Sequence, residues 1–173
     1  MRVIKRSGIF ETVSFDKVLR RIKKLCDEGN LSVDPAIVSQ KVCSCIYDKV
    51  KTSELDTEAA KVCTNMVIDN KEYGELASRI IISNHHKNTS PSFSEVAQTL
   101  WNFKDVNDKD CPLINKKLYQ LINSNKEKLN SVINYDKDYL FDYFGFKTLE
   151  RAYLLKKNNE QPKLISQNLD KGK

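Results

Sequence analysis

The sequence predicts a mostly α protein in which a short β-hairpin or small sheet covers a four-helix unit, with additional helices following. Three observations carry this. Apolar residues recur at helical spacing in four successive stretches between Phe15 and Asn84. Capping and breaking residues fall between those stretches: Ser14, Gly29-Asn30, Asp34-Pro35 and Ser53. β-Branching around a turn signal, Ser7-Gly8, is confined to the first thirteen residues.

Taken in order, residues 2–6 and 9–13 read as two short strands about Ser7-Gly8, where glycine tolerates positive φ. Ser14 caps a helix over 15–28, with Phe15, Val18, Leu19, Ile22, Leu25 and Cys26 as its apolar stripe. Lys17, Arg20, Arg21 and Lys24 lie largely off that stripe and read as a solvated basic face. Asp34 as N-cap and Pro35 at the first helical position start a second helix, with Ile37, Val38, Val42, Cys45, Ile46 and Val50 on its apolar side. Ser53-x-x-Asp56 resembles a capping arrangement for a third helix carrying Ala59, Ala60, Cys63, Met66 and Val67. A fourth begins near Glu72 or Tyr73 and ends in His85-His86-Lys87. Residues 1–88 therefore form one unit. Residues 89–112 are a connection with a short helix at 94–103. Residues 113–130 form a helix with Leu113, Ile114, Leu118, Leu121 and Ile122 as its apolar set. Residues 131–156 are dense in aromatics and need a packing partner. Residues 157–173 are a polar, frayed tail.

The chain has 173 residues, 40% hydrophobic and 30% charged, with 5 Gly and 4 Pro, which is a globular composition. No apolar run reaches the ~18 residues of a membrane span, and the basic start is too soon charged again for a signal peptide. A cytoplasmic protein is expected. The net charge is +6, and residues 1–28 alone contribute +4, so a phosphate-bearing partner is expected at that end. Five cysteines, an odd number without metal-ligand spacing, are expected to be reduced and mostly buried.

Lys5, Arg6, Lys87 and Thr52, the last beside a helix start, together suit a triphosphate. Glu11, Asp16 and Asp56 would accept hydrogen bonds from base amines and ribose hydroxyls. By spacing alone the signal is weak, because neither GxxxxGK[ST] nor GxGxxG is present. The competing reading makes these residues surface charges and a helix-capping acid.

Longer runs are more specific. Val3-Ile4-Lys5-Arg6-Ser7-Gly8, Glu11-x-Val13-x-Phe15-Asp16-Lys17, Lys51-Thr52-Ser53-Glu54-Leu55-Asp56 and Ser83-Asn84-His85-His86-Lys87 resemble the ATP-cone of ribonucleotide reductase large subunits. Asn134-Tyr135-Asp136-Lys137-Asp138 and the run Tyr143 to Lys156 resemble the segment leading into the catalytic barrel of the eukaryotic and viral type. The resemblance implies an allosteric module that binds ATP as activator or dATP as inhibitor, with Mg2+. It implies Lys5, Arg6 and Lys87 near the phosphates, and Glu11, Thr12, Val13, Ser14, Phe15, Asp16 and Lys17 lining the nucleotide, Asp16 near the adenine. Thr52 and Asp56 are implied near the phosphate and ribose, and Asp56 as the point of ATP/dATP discrimination. Implied partners are the rest of the large subunit, its small subunit and other cones. The family's radical cysteine, redox pair and specificity site are expected beyond Lys173, so no catalytic residue and no metal site are expected here. Arg2 and Ile9 depart from the family's usual His and Arg. The alternatives are a stand-alone cone and a basic helical regulator that binds nucleic acid.

Overall fold

The structure, a computed structural model, describes residues 1–105, 107–156 and 162–163. These fall into two compact units: 1–88 with 138–149, and 89–137 with the described residues from 150 onward.

The first unit opens with β1 (Arg2–Ile4) and β2 (Phe10–Thr12), paired antiparallel with Val3 opposite Glu11. The strands are shorter than the spans 2–6 and 9–13 expected from sequence, because Gly8 at φ 81° and the Gly8 N–H to Lys5 carbonyl bond already commit residues 5–8 to the turn. α1 (Phe15–Gly29) and α2 (Pro35–Ser44) follow. Asp34 caps α2 by accepting from the Ala36 N–H at 2.8 Å, as its sequence position implies. Ser14 stands at the N-cap of α1 but makes no side-chain capping bond.

The main departure lies after α2. Cys45, Ile46 and Val50 do not continue that helix. The chain turns through Tyr47–Lys49, with Lys49 at φ 65°, and forms β3 (Val50–Lys51) parallel to β1, so the sheet order is β2-β1-β3. Asp48 accepts from the Arg2 N–H at 2.8 Å and the Lys49 N–H donates to the Arg2 carbonyl at 2.7 Å. These bonds tie the turn to β1. Val3, Ile46 and Val50 then form a small buried cluster under the sheet, joined by Val13, Cys43 and Leu55.

α3 (Thr52–Asn65) starts directly from β3 with Lys51 at its N-cap, two residues before the expected Ser53, and Glu54 rather than Asp56 receives the Lys51 N–H, at 3.4 Å. Asp56 is thereby released from the capping role that Ser53-x-x-Asp56 suggested. α4 (Glu72–Asn88) packs along α3. The main core gathers Ile22, Leu25, Val38, Val42, Ala60, Cys63, Leu76, Ile80 and Ile82 from all four helices. Phe146, from the segment 138–149, is buried in the same core, its ring meeting His85 edge-on at 5.4 Å between centroids. Beside it, His86 Nε2 lies 2.7 Å from Asp138 Oδ2.

In the second unit, α5 (Phe93–Trp101) stands where the short helix 94–103 is expected, and α6 (Lys116–Ser124) and α7 (Lys126–Val132) replace the single helix 113–130 read from sequence. Asn125 breaks the longer one at φ −122°, ψ 23°, and caps it by donating from Nδ2 to the Leu121 carbonyl at 3.0 Å. Of the expected apolar set, Ile122 is buried whereas Leu121 is exposed. Trp101 stacks on Tyr119 at 5.0 Å. A 3-10 turn (Tyr135–Leu140) and α8 (Tyr143–Ala152) carry the aromatic segment, and β4 (Leu155–Lys156) pairs antiparallel with β5 (Pro162–Lys163). Apart from 162–163, the tail expected over 157–173 lies outside the described residues.

No helix is long and apolar enough to cross a membrane among the described residues. All five cysteines are free. Burial pushes the Cys26 thiol up to about 11 and Cys63 to about 12, so both remain protonated core groups. Cys45 and Cys111 are exposed, against the expectation of mostly buried cysteines.

Candidate functional site

β1, the hairpin turn, α1, α3 and α4 enclose a cavity of about 430 Å³ in the first unit, a size in the range of small-ligand sites. β3 is what assembles it. Pairing Ile4 with Lys51 sets Thr52, the first residue of α3, beside the chain as it leaves β1 toward Lys5 and Arg6. The unpaired N–H groups of that helix start carry partial positive charge.

Ten of the twelve residues singled out from sequence line this one cavity: Lys5, Arg6, Glu11, Thr12, Val13, Ser14, Lys17, Thr52, Asp56 and Lys87. Phe15 and Asp16 do not. Phe15 is 41% exposed at the start of α1. Asp16 stands in the first turn of that helix, where its backbone carbonyl accepts from Arg20 Nε at 3.3 Å. The cavity also contains Val3, Val18, Ile22 and Leu55, an apolar contribution beside the charged one.

The charges are arranged in two groups. Glu11 is bridged by Lys5 and Lys17. Asp56, its side chain 12% exposed, lies between two guanidinium groups: Arg6 Nη2 at 3.2 Å, and Arg21 at 3.3 Å from Nη2 and 3.4 Å from Nε. Neutral groups of α4 hold both arginines in place. Arg6 donates to Asn84 Oδ1 and, at 2.7 Å, to Asn88 Oδ1; Arg21 Nη2 donates to Ser83 Oγ at 3.0 Å. Asn84 is anchored in turn by donating to the Ser53 carbonyl at 3.0 Å. The last turn of α4 thus presents Ser83, Asn84, Lys87 and Asn88 on one face, the i, i+3, i+4 geometry of a helix.

Lys87 completes the set. Loss of solvent around its ammonium, then the neighbouring charge of Arg21, pull its pKa from 10.5 to about 8; Asp56 acts in the opposite sense and Arg6 and Lys24 add to the depression. Five cations and two carboxylates line the cavity, a net charge of +3. Such a surplus in a partly enclosed space attracts a polyanion.

Arg21 and Asn84 were not singled out by sequence reasoning. Its helical position groups Arg21 with a solvated basic face, yet its side chain is 19% exposed and turned inward. The available signal was its spacing: Lys17 and Arg21 are one helical turn apart and flank Val18 and Ile22, so the face they share borders the buried stripe.

Among the described residues, no group of three or more His, Cys, Asp or Glu side chains is placed to hold a metal ion.

Residues 1–88 match the family described as the ATP cone domain. The chain is 48% identical over 160 residues to the ribonucleoside-diphosphate reductase large chain of Cryptosporidium parvum, a match covering 92% of this chain and 20% of that protein. It is 47% identical over 162 residues to the large subunit of Monkeypox virus, covering 92% of this chain and 21% of that one. The Danio rerio large subunit is 45% identical over 162 residues, with 92% and 20% covered. The chain thus spans about a fifth of the length of these relatives. Residues 1–88 carry the cavity and the family match together, and the chain belongs to the ATP-cone family, in the form found in an N-terminal part of ribonucleoside-diphosphate reductase large subunits.

Proposed function

We propose that this chain is the nucleotide-sensing regulatory portion of a class I ribonucleotide reductase large subunit. ATP binds in the cavity as activator and dATP as inhibitor. Lys5, Arg6 and Lys87 hold the phosphates, with the Thr52 hydroxyl and the α3 N-terminus. Mg2+ arrives with the nucleotide and is held by phosphate oxygens and water, because the two carboxylates lining the cavity are engaged by cations. The segment Glu11 to Lys17 lines the nucleoside, with Phe15 and Asp16 at the rim toward the base. Asp56 is the acceptor that distinguishes a ribose from a 2′-deoxyribose.

The observation that carries this reading is the convergence of ten of the twelve expected residues on one cavity within the family-matched segment. Both effectors carry the same triphosphate, so the cations supply affinity without selectivity. Regulation requires each effector to favour a different state of the assembly. In that assembly the partners are the remaining large-subunit chain, the small subunit and neighbouring cones.

Calorimetric titration of the 173-residue chain with ATP and dATP tests the proposal. Both nucleotides are expected to bind with micromolar affinity, and Asp56→Asn to change the ratio of the two dissociation constants. Failure of both to bind at millimolar concentration sinks it.

A further inference from the structure

Resting on the proposed effector site, we propose that the Asp56 carboxylate competes with the effector's phosphates for Arg6 and Arg21. Arg21 then becomes a phosphate-binding residue, and Asp56 sets the affinity of the cavity for polyphosphate below what its cations alone would give.

The geometry of the ion pairs is the first support. The carboxylate meets the two guanidiniums at 3.2 to 3.4 Å, longer than the ~2.7–2.9 Å of a tight charge-assisted pair. One anion is shared loosely between two planar cations, each able to take a phosphate by a two-pronged bond.

The second is that the arginines do not depend on Asp56 for their position. Asn84 and Asn88 hold Arg6, and Ser83 holds Arg21. These neutral acceptors keep both forks aimed at the cavity while the anion between them is exchanged.

The third is charge. Around Asp56 stand Arg6, Arg21 and Lys87, three cations to one carboxylate, and the other carboxylate, Glu11, is taken up by Lys5 and Lys17. A purely structural pair needs no such surplus. The Lys87 pKa is depressed first by lost solvation and next by the Arg21 charge, with Asp56 acting in the opposite sense. A bound polyphosphate adds negative charge beside these cations, but faces repulsion from Asp56 a few ångströms away. Removing that one negative charge therefore strengthens binding of an anion that has no sugar.

Sodium tripolyphosphate is the probe, because it lacks the ribose that Asp56 is proposed to read. The 173-residue chain, Asp56→Asn, Arg21→Gln and Arg21→Lys are titrated at pH 7 and fixed salt, and melted with and without the probe. The expected result for Asp56→Asn is binding about tenfold tighter. That variant is also expected to melt lower alone and to gain more from the probe than the parent chain does. Arg21→Gln is expected to bind about tenfold more weakly, with Arg21→Lys, which keeps the charge and loses the fork, between the two. Equal or weaker binding by Asp56→Asn overturns the competition, and unchanged binding by Arg21→Gln overturns the role of that arginine. If either happens while the parent chain still binds ATP and dATP, this inference fails and the effector-site reading stands. If the parent chain binds neither nucleotide nor tripolyphosphate, both fail.

Discussion

Lys87 turns the electrostatics of the cavity into a pH dependence. Its pKa of about 8 lies below the ordinary 10.5 because of lost solvation and the Arg21 charge. A polyanion beside it favours the charged form and raises the value again. Binding above pH 8 must therefore take up a proton, and effector affinity falls as pH rises from about 8 toward 10.5. Lys87→Arg keeps its charge through that window, so calorimetry at pH 7 and pH 9 should show a drop in affinity for the parent chain and almost none for the variant. For stability the sign is opposite. The unfolded chain holds the proton more tightly between pH 8 and 10.5, so this group makes the fold more stable as pH rises through that window. Arg21 shows what sequence alone missed at this scale. Arg20, Arg21 and Lys24 are alike in composition and sit on one helix. Only the neighbouring α3 and α4, which bring up Asp56 and Ser83, select Arg21 for the interior.

At the scale of elements, the helices were legible where a chemical signal coincided with a period. Asp34-Pro35 is such a place, and the cap it implies is formed. Asp34→Ala removes the acceptor for the Ala36 N–H at an exposed helix start and should cost about 1 kcal/mol, read from the urea midpoint at unchanged slope. β3 was not legible, for a physical reason. Val50 follows Ile46 by four residues, which is helical spacing, and two residues are too few to display alternation. What ends α2 is tertiary: the hydrogen bonds of Asp48 and Lys49 to the backbone of Arg2 and the burial of Val50 beneath β1. Neither is written in the local sequence. The same missing strand explains why residue patterns alone left the site weak. Lys5, Arg6, Thr52, Asp56 and Lys87 are scattered over more than eighty positions, and it is β3 that sets Thr52 next to β1. The family resemblance supplied that proximity without showing its cause.

At the scale of the whole molecule, the family match ends at residue 88, but the compact unit does not. Residues 138–149 belong to it, and Phe146, 3% exposed, fills the core against His85 on the same helix that supplies Asn84 and Lys87 to the cavity. The cone is therefore completed by a segment some fifty residues downstream of its own last helix. Phe146→Ala leaves a cavity in that core and should destabilise the unit by about 3 kcal/mol. A chain cut after residue 88 should melt lower than the full chain for the same reason, and lose tripolyphosphate affinity as the last turn of α4 loosens. The two changes separate packing from chemistry. If the truncated chain melts like the full one, Phe146 rests on a core that was already complete. If it melts lower but binds the probe unchanged once folded at low temperature, Asn84 and Lys87 are held by Ser53 and the cavity alone. The neighbouring side chains Leu140, Phe141 and Phe144 remain exposed while Phe146 is buried. The aromatic segment is thus divided: Phe146 lies in the cone core with Tyr139 and Tyr143 packed against it, while Phe141 and Phe144 stay exposed. Because Phe146 packs on His85 in α4, anion binding at the last turn of that helix is expected to be felt in residues 138–149. Hydrogen exchange of residues 138–149 with and without tripolyphosphate checks it, with slower exchange expected on binding and no change counting against the link.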